Sequence, residues 1–115
     1  MSWADLHART DILHTVLDRA ARRDFARNPV DPKLFHDLPD LDRLFGGPEG
    51  VLLALRNRWE NHLTVKLENA MEKGILAQEA YAELCAEQPA LRALLDAFDT
   101  DHLYHRRPRL RALAG

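Results

Sequence analysis

Residues 48–74 read PEGVLLALRNRWENHLTVKLENAMEKG, and this stretch decides the fold. Pro48 suits the first turn of a helix, and Gly74 suits the position just beyond a helix end, where a left-handed backbone is needed. Between them, apolar residues recur at the spacing of one helical face. These residues are Leu52, Leu55, Trp59, Leu63 and Ala70, with Leu67 and Met71 widening the stripe. The sequence therefore predicts one long helix that contacts more than one neighbour.

The N-terminal segment predicts a second long helix, from about Trp3 to Arg27. Ser2 is a suitable N-cap, and Asp5 stands where a capping carboxylate can return to the backbone. One side of this helix is expected to be buried, and it carries Leu6, Thr10, Leu13, Leu17 and Ala20. Ile12 and Val16 lie toward the polar side, so another element covers them or they are exposed. Exposure would indicate an interface.

The segment between these helices is rich in residues that interrupt helices. Residues 28–50 hold four of the six prolines and three of the five glycines, and each proline disfavours helical geometry in the residue before it. A short helix is predicted from Pro39 to Phe45, closed by Gly46 and Gly47. The large apolar residues expected to pin this segment down are Leu34, Phe35, Leu38, Leu41, Leu44 and Phe45. Residues 28–47 are therefore predicted to form an ordered crossover.

The segment after Gly74 predicts one helix from Leu76 to Gln88, which Pro89 either kinks or follows with a fifth helix. The residues expected to face inward are Tyr81, Leu84 and Cys85, and then Leu91, Leu94, Leu95 and Phe98. No alternation typical of strands is present. The expected fold is all-α: a small antiparallel helical bundle of three to five helices, with a short helix in the crossover, forming a single domain over residues 1–115.

The composition of the chain argues against several classes of function. With 115 residues, a net charge of -2 and one cysteine, the chain is expected to be a soluble, cytoplasmic protein without disulfides, membrane contact or nucleic-acid partner. A basic stretch follows His105 and contains Arg106, Arg107, Arg109 and Arg111. We interpret residues 106–115 as a solvated, frayed tail, and the alternative is nucleic-acid binding through Arg106 to Arg111. No catalytic signature, nucleotide-binding loop or cofactor motif appears, which favours a non-enzymatic role.

Two sets of polar residues are candidates for a binding site. Lys66 falls inside the apolar stripe, one turn after His62 and near Trp59. A buried ammonium group requires an acidic neighbour or a path to water, and the alternative is a pocket in which these three residues bind an anionic ligand. His102 and His105 are three residues apart and could supply two metal ligands. The sequence contains no Cys-x-x-Cys unit to complete such a site.

The preferred functional hypothesis is a protein–protein interaction or regulatory module that self-associates, as a homodimer, or joins a larger complex. It rests on apolar residues that a three-helix core would leave uncovered. These interface candidates are Ile12, Val16, Leu53, Leu67 and Met71. The alternative is a bundle that binds a small molecule, a metal or haem through His62, Lys66, His102 and His105 at its centre.

Overall fold

The computed structural model describes residues 2–23 and 32–98, and within that part every regular element is helical. The elements are α1 (Trp3–Ala21), a 3-10 helix (Pro32–Phe35), α2 (Leu41–Phe45), α3 (Pro48–Lys73), α4 (Ala77–Glu87) and α5 (89–98). Helix α3 contacts both α2 and α4, while α1 contacts α2 and the 3-10 helix. The all-α fold predicted from the sequence is confirmed, including the short helix in the crossover.

Helix α1 begins as predicted and ends earlier than predicted. The Ser2 hydroxyl accepts a hydrogen bond from the Asp5 backbone N–H at 3.1 Å, which confirms the N-cap. The helix ends at Ala21, where the backbone N–H groups of Arg22 and Arg23 bond to carbonyls three residues back and tighten the last turn. The predicted end at Arg27 lies outside the described residues.

The side of α1 that faces the core is rotated from the one predicted, and of the predicted inward residues Ala20 is buried and Leu13 and Leu17 pack against the core. Ile12, Val16 and Ala20 are buried in the core cluster, whereas Leu6 is 46% exposed. Thr10 is exposed, and Leu13 and Leu17 are only partly buried. Ile12 and Val16 are therefore covered within the chain, which corrects the expectation of exposure that made them interface candidates.

Two arginines explain why α1 turns this side inward. The Arg9 guanidinium donates to the Leu44 carbonyl oxygen at 2.6 Å and lies 4.3 Å from the centre of the Phe45 ring. Arg19 donates to the carbonyl oxygens of Lys33, Leu34 and His36 at distances from 2.6 to 3.4 Å. These carbonyls lie in or beside the ends of α2 and of the 3-10 helix, where few helical N–H donors remain; the Lys33 carbonyl oxygen also accepts from the His36 N–H at 3.3 Å. Helix α1 is thus oriented by charge-assisted hydrogen bonds to the crossover as well as by apolar contact.

Residues 32–47, the part of the crossover that the structure describes, pack against the core. Leu34 and Leu41 are buried, and the neighbouring apolar side chains Phe35, Leu38, Leu44 and Phe45 pack partly buried against the same cluster. Helix α2 begins at Leu41, two residues after the predicted Pro39. It ends where Gly46 adopts φ +75° and donates its N–H to the Asp42 carbonyl oxygen at 2.8 Å. Residues 28–31 lie outside the described residues.

The hairpin of α3 and α4 follows the predicted boundaries closely. Gly74 caps α3 with φ +71°, and the Ile75 N–H donates to the Ala70 carbonyl oxygen at 2.8 Å, as expected for a glycine-terminated helix. A new helix, α5, begins at residue 89, so Pro89 starts a fifth helix instead of kinking the fourth. Leu84 of α4 and Leu91, Leu94 and Leu95 of α5 are buried, whereas Tyr81, predicted to face inward, is 43% exposed.

Candidate functional site

A groove runs between α3 and α4 and contains two of the three predicted ligand-binding residues. Its volume is about 310 Å³. Small side chains at the helix contact, the buried Ala70 and Ala80, help to leave this space. Polar and charged side chains line it, namely His62, Lys66, Asn69, Lys73, Glu83, Glu87 and Gln88.

Lys66 has two acidic partners within the groove. Its Nζ lies 2.8 Å from Oε1 of Glu83 and 2.7 Å from Oε2 of Glu87, and its side chain is 24% exposed. The hydrogen bonds that Lys66 donates to Glu83 and then to Glu87 raise the pKa of Lys66, and the hydrogen bond that Glu83 accepts from Lys66 lowers the pKa of Glu83. The two carboxylates carry more negative charge than the single ammonium group carries positive charge, so this arrangement does not favour an anionic ligand. The geometry agrees with the acidic-neighbour interpretation of Lys66.

The structure separates Trp59 from the other two residues of the predicted ligand site. His62 lies in the groove, where its Nδ1 contacts the side-chain amide of Gln88. Trp59 is buried in the core and is not among the residues that line the groove. Its ring meets the Tyr81 ring edge-on at 6.0 Å, and the Arg92 guanidinium lies 4.7 Å from its centre. Trp59 therefore anchors the packing between helices.

The described part of the chain contains neither a group of metal-ligating side chains nor a helix that could span a membrane. Over residues 2–23 and 32–98, no three histidine, cysteine, aspartate or glutamate side chains form a group that could hold a metal ion. His102 and His105, the predicted metal ligands, and the basic tail 106–115 lie outside the described residues. Among the helices that the structure describes, none has the length and hydropathy needed to span a membrane.

One side of α1, which the sequence analysis had assigned to the core, exposes apolar side chains at its N-terminal end. We define the α1 seam as Trp3, Leu6, Thr10, Leu13 and Leu17. Their spacing of three and four residues is that of the a and d positions of a coiled coil. Trp3 is 75% exposed, with its ring edge-on to the His7 ring at 5.0 Å, and exposure falls along the helix toward the partly buried Leu13 and Leu17. The spacing was visible in the sequence, but its exposure was not.

The exposed apolar residues of α3 are arranged differently. Leu53 and Met71 are 60% and 82% exposed, and Leu67 is partly exposed. Leu53 and Met71 are separated by five helical turns, about 27 Å at 1.5 Å per residue. The polar residues Glu60 and Thr64 lie between them on the same side of the helix. These predicted interface residues therefore form no continuous stripe, whereas Trp3 and Leu6 of the α1 seam are exposed one turn apart.

The fold and its surfaces define an all-α protein of packed helices, with one long helix hairpin and exposed apolar side chains at the N-terminal end of α1. Comparison of the chain with protein-family models, curated proteins and solved structures finds no match.

Proposed function

We propose that this protein is a non-enzymatic protein–protein interaction module, and that its α1 seam binds a helix of a protein partner. The observation that supports the proposal is the exposure of Trp3 and Leu6, two large apolar side chains at the N-terminal end of the seam, which Leu13 and Leu17 continue while partly buried. Neighbouring exposed apolar side chains of this size are typical of a surface that another molecule covers. The heptad spacing specifies the shape of that surface, because a and d positions pack against another helix.

Residue types at the seam suit this role. Tryptophan at an interface supplies a large rigid contact area, and it is enriched among the residues that contribute most to binding. Leucines at the following positions provide the apolar contacts of a helix–helix pair. The groove between α3 and α4 offers no free charged group for a ligand at Lys66, because this lysine already forms ion pairs with Glu83 and Glu87. The α1 seam is therefore the surface on which we base the function.

Paired variants test the proposal. Trp3→Ala combined with Leu6→Glu removes apolar area and adds a charge at the most exposed end of the seam. Leu76→Glu changes another exposed leucine, in the loop between α3 and α4, and serves as the control. Each full-length variant is examined by sedimentation velocity, and by site-specific photo-cross-linking from position 10 in cells that naturally produce the protein. Circular dichroism confirms that helicity is retained.

We expect the native chain to form a complex, with itself or with another protein, that the seam variant loses and the control retains. A native chain that sediments as a monomer and gives no cross-link sensitive to the seam variant would overturn the proposal. Equal loss in the seam variant and in the control would also contradict it, because that result assigns binding to no particular surface.

A further inference from the structure

We infer that a groove where the 3-10 helix, α2, α3 and α5 meet binds the C-terminal segment of the same chain, residues 99–115. No residue of the α1 seam lines this groove, so its role does not depend on the proposed function. Three features support the inference: the apolar lining of the groove, the charges beside it, and the position of the end of α5.

The groove is lined mainly by apolar side chains and has a volume of about 450 Å³. Each of the four elements contributes to this lining. The side chains are Phe35, Leu41, Pro48, Leu52 and Phe98. Leu41 and Leu52 belong to the buried core, whereas Phe35 and Phe98 pack against it only partly buried. Apolar side chains that filled the groove would therefore be removed from water against the core, which is favourable.

Two exposed carboxylates, Asp42 and Glu49, also line the groove. Neither carboxylate forms an ion pair within the part of the chain that the structure describes. The neighbouring Arg43 pairs instead with Asp5 and Asp40. A segment that combines apolar side chains with arginines matches this groove both in hydrophobicity and in charge.

The chain carries a segment of this kind directly after α5. Residues 99–115 lie outside the described residues, and their sequence is DTDHLYHRRPRLRALAG. Four arginines outnumber two aspartates in it, although the whole chain has a net charge of -2. Leu103 and Tyr104 supply the apolar side chains for the groove, and Arg106 and Arg107 pair with its two carboxylates. Binding in the groove replaces the solvated tail that the charges alone suggest.

The end of α5 places this segment beside its binding site. Phe98 closes the described part of α5 and is itself part of the groove. The five residues from Phe98 to Leu103 can span at most about 18 Å, so Leu103 can reach the groove in which its own tether begins. A tether this short gives an effective concentration of the order of millimolar. Contacts too weak to hold a separate peptide are therefore sufficient to hold this segment.

Photo-cross-linking within the full chain tests this contact. The photoreactive residue p-benzoylphenylalanine replaces Tyr104, and mass spectrometry locates its attachment point. A mixture of isotopically light and heavy chains separates links within one chain from links between copies. The groove variant combines Asp42→Lys with Glu49→Lys. The matched control, Glu68→Lys with Glu79→Lys, reverses two exposed acids that do not line the groove. Circular dichroism checks folding, and Asp42→Asn with Glu49→Gln replaces the groove variant if helicity falls.

We expect links within one chain to the groove between Phe35 and Leu52, which the groove variant loses and the control retains. Adding Arg106→Glu and Arg107→Glu to the groove variant should restore these links, because reversing both partners recovers their attraction. Links only between copies, links only to other surfaces, or a yield that the groove variant leaves unchanged would overturn the inference. Equal loss in the control would also overturn it. A chain that gives no internal link, and instead binds duplex DNA through this segment, would do the same.

Discussion

At the scale of single residues, Gly50 shows how one missing side chain permits the close approach of two helices. It lies in the first turn of α3, five residues after Phe45, the last residue of α2. A Cβ atom at this position would overlap the carbonyl oxygen of Phe45 and come within 3.2 Å of the Phe45 Cβ. Backbone atoms cannot move aside as a flexible side chain can, so glycine is required here.

We predict that Gly50→Ala destabilises the protein, although alanine favours a helix over glycine by about 1 kcal/mol. Overlap with backbone forces the two helices apart, and overpacking of this kind costs roughly 1–3 kcal/mol. Urea unfolding followed by circular dichroism measures the change in the free energy of unfolding. Gln78→Ala, at an exposed position of α4, is the control and should be nearly neutral. Stabilisation by Gly50→Ala would show that α2 and α3 are not held this closely in solution.

At the scale of secondary-structure elements, α3 and α4 are joined by the ion pairs of Lys66 with Glu83 and Glu87. The partners come from different helices, so these contacts fix how α4 lies on α3. The carboxylates are largely exposed, which limits the energy of each pair through solvent screening. Their contribution depends on pH because folding shifts the pKa values of Lys66 and Glu83.

Glu83→Gln should lower the melting temperature modestly near neutral pH and have little effect in acid. The folded-state pKa of Glu83 is lowered by Lys66, so its stabilisation is complete above the unfolded-state pKa and is lost as pH falls through the folded-state value. The contribution of Lys66, whose pKa is raised, is lost only as pH rises past the usual lysine range. Thermal melts of both proteins across pH measure this dependence.

Glu68→Gln is the matched control for that experiment, since Glu68 is an exposed glutamate on α3 that does not line the groove. It should shift the melting temperature less than Glu83→Gln at neutral pH. A difference between native protein and Glu83→Gln that stays constant into strong acid would contradict the assigned ion pair.

At the scale of the whole molecule, the core is concentrated at one end of α3. Val51, Leu52, Leu55 and Trp59 are buried in its first half, whereas Ala70 is the buried residue of its second half. Helix α1 and the crossover contribute to the same cluster as that first half. The distal part of the α3–α4 hairpin is thus held by fewer apolar contacts than the part beside α1 and α2.

We therefore expect hydrogen exchange to distinguish the two halves of α3. Backbone amides from Leu55 to Trp59 should exchange at rates near those set by global unfolding, and amides from Leu67 to Lys73 should exchange faster through local opening. Exchange measured by NMR or mass spectrometry on the full chain tests this gradient. Uniform protection along α3 would mean that an additional surface covers the distal hairpin in solution.

Much of the fold could be predicted because its signals are local. Ser2 caps α1, Gly74 ends α3 and Pro89 separates α4 from α5, each through the backbone geometry of one residue and its close neighbours. The candidate surface was harder to predict. The heptad spacing from Trp3 to Leu17 was evident, yet periodicity alone identifies an apolar side without saying what packs against it.

The sequence by itself determined the all-α class, the main helix boundaries and the anchoring of the crossover by its large apolar side chains, because propensity, capping and periodicity act over a few residues. Only the tertiary structure decided which side of α1 faces inward. That choice depends on carbonyls at the ends of α2 and of the 3-10 helix, which Arg9 and Arg19 reach across long stretches of chain. Contacts between distant residues thus brought Ile12 and Val16 into the core and left Trp3 and Leu6 exposed, and local sequence patterns carry no information about such contacts.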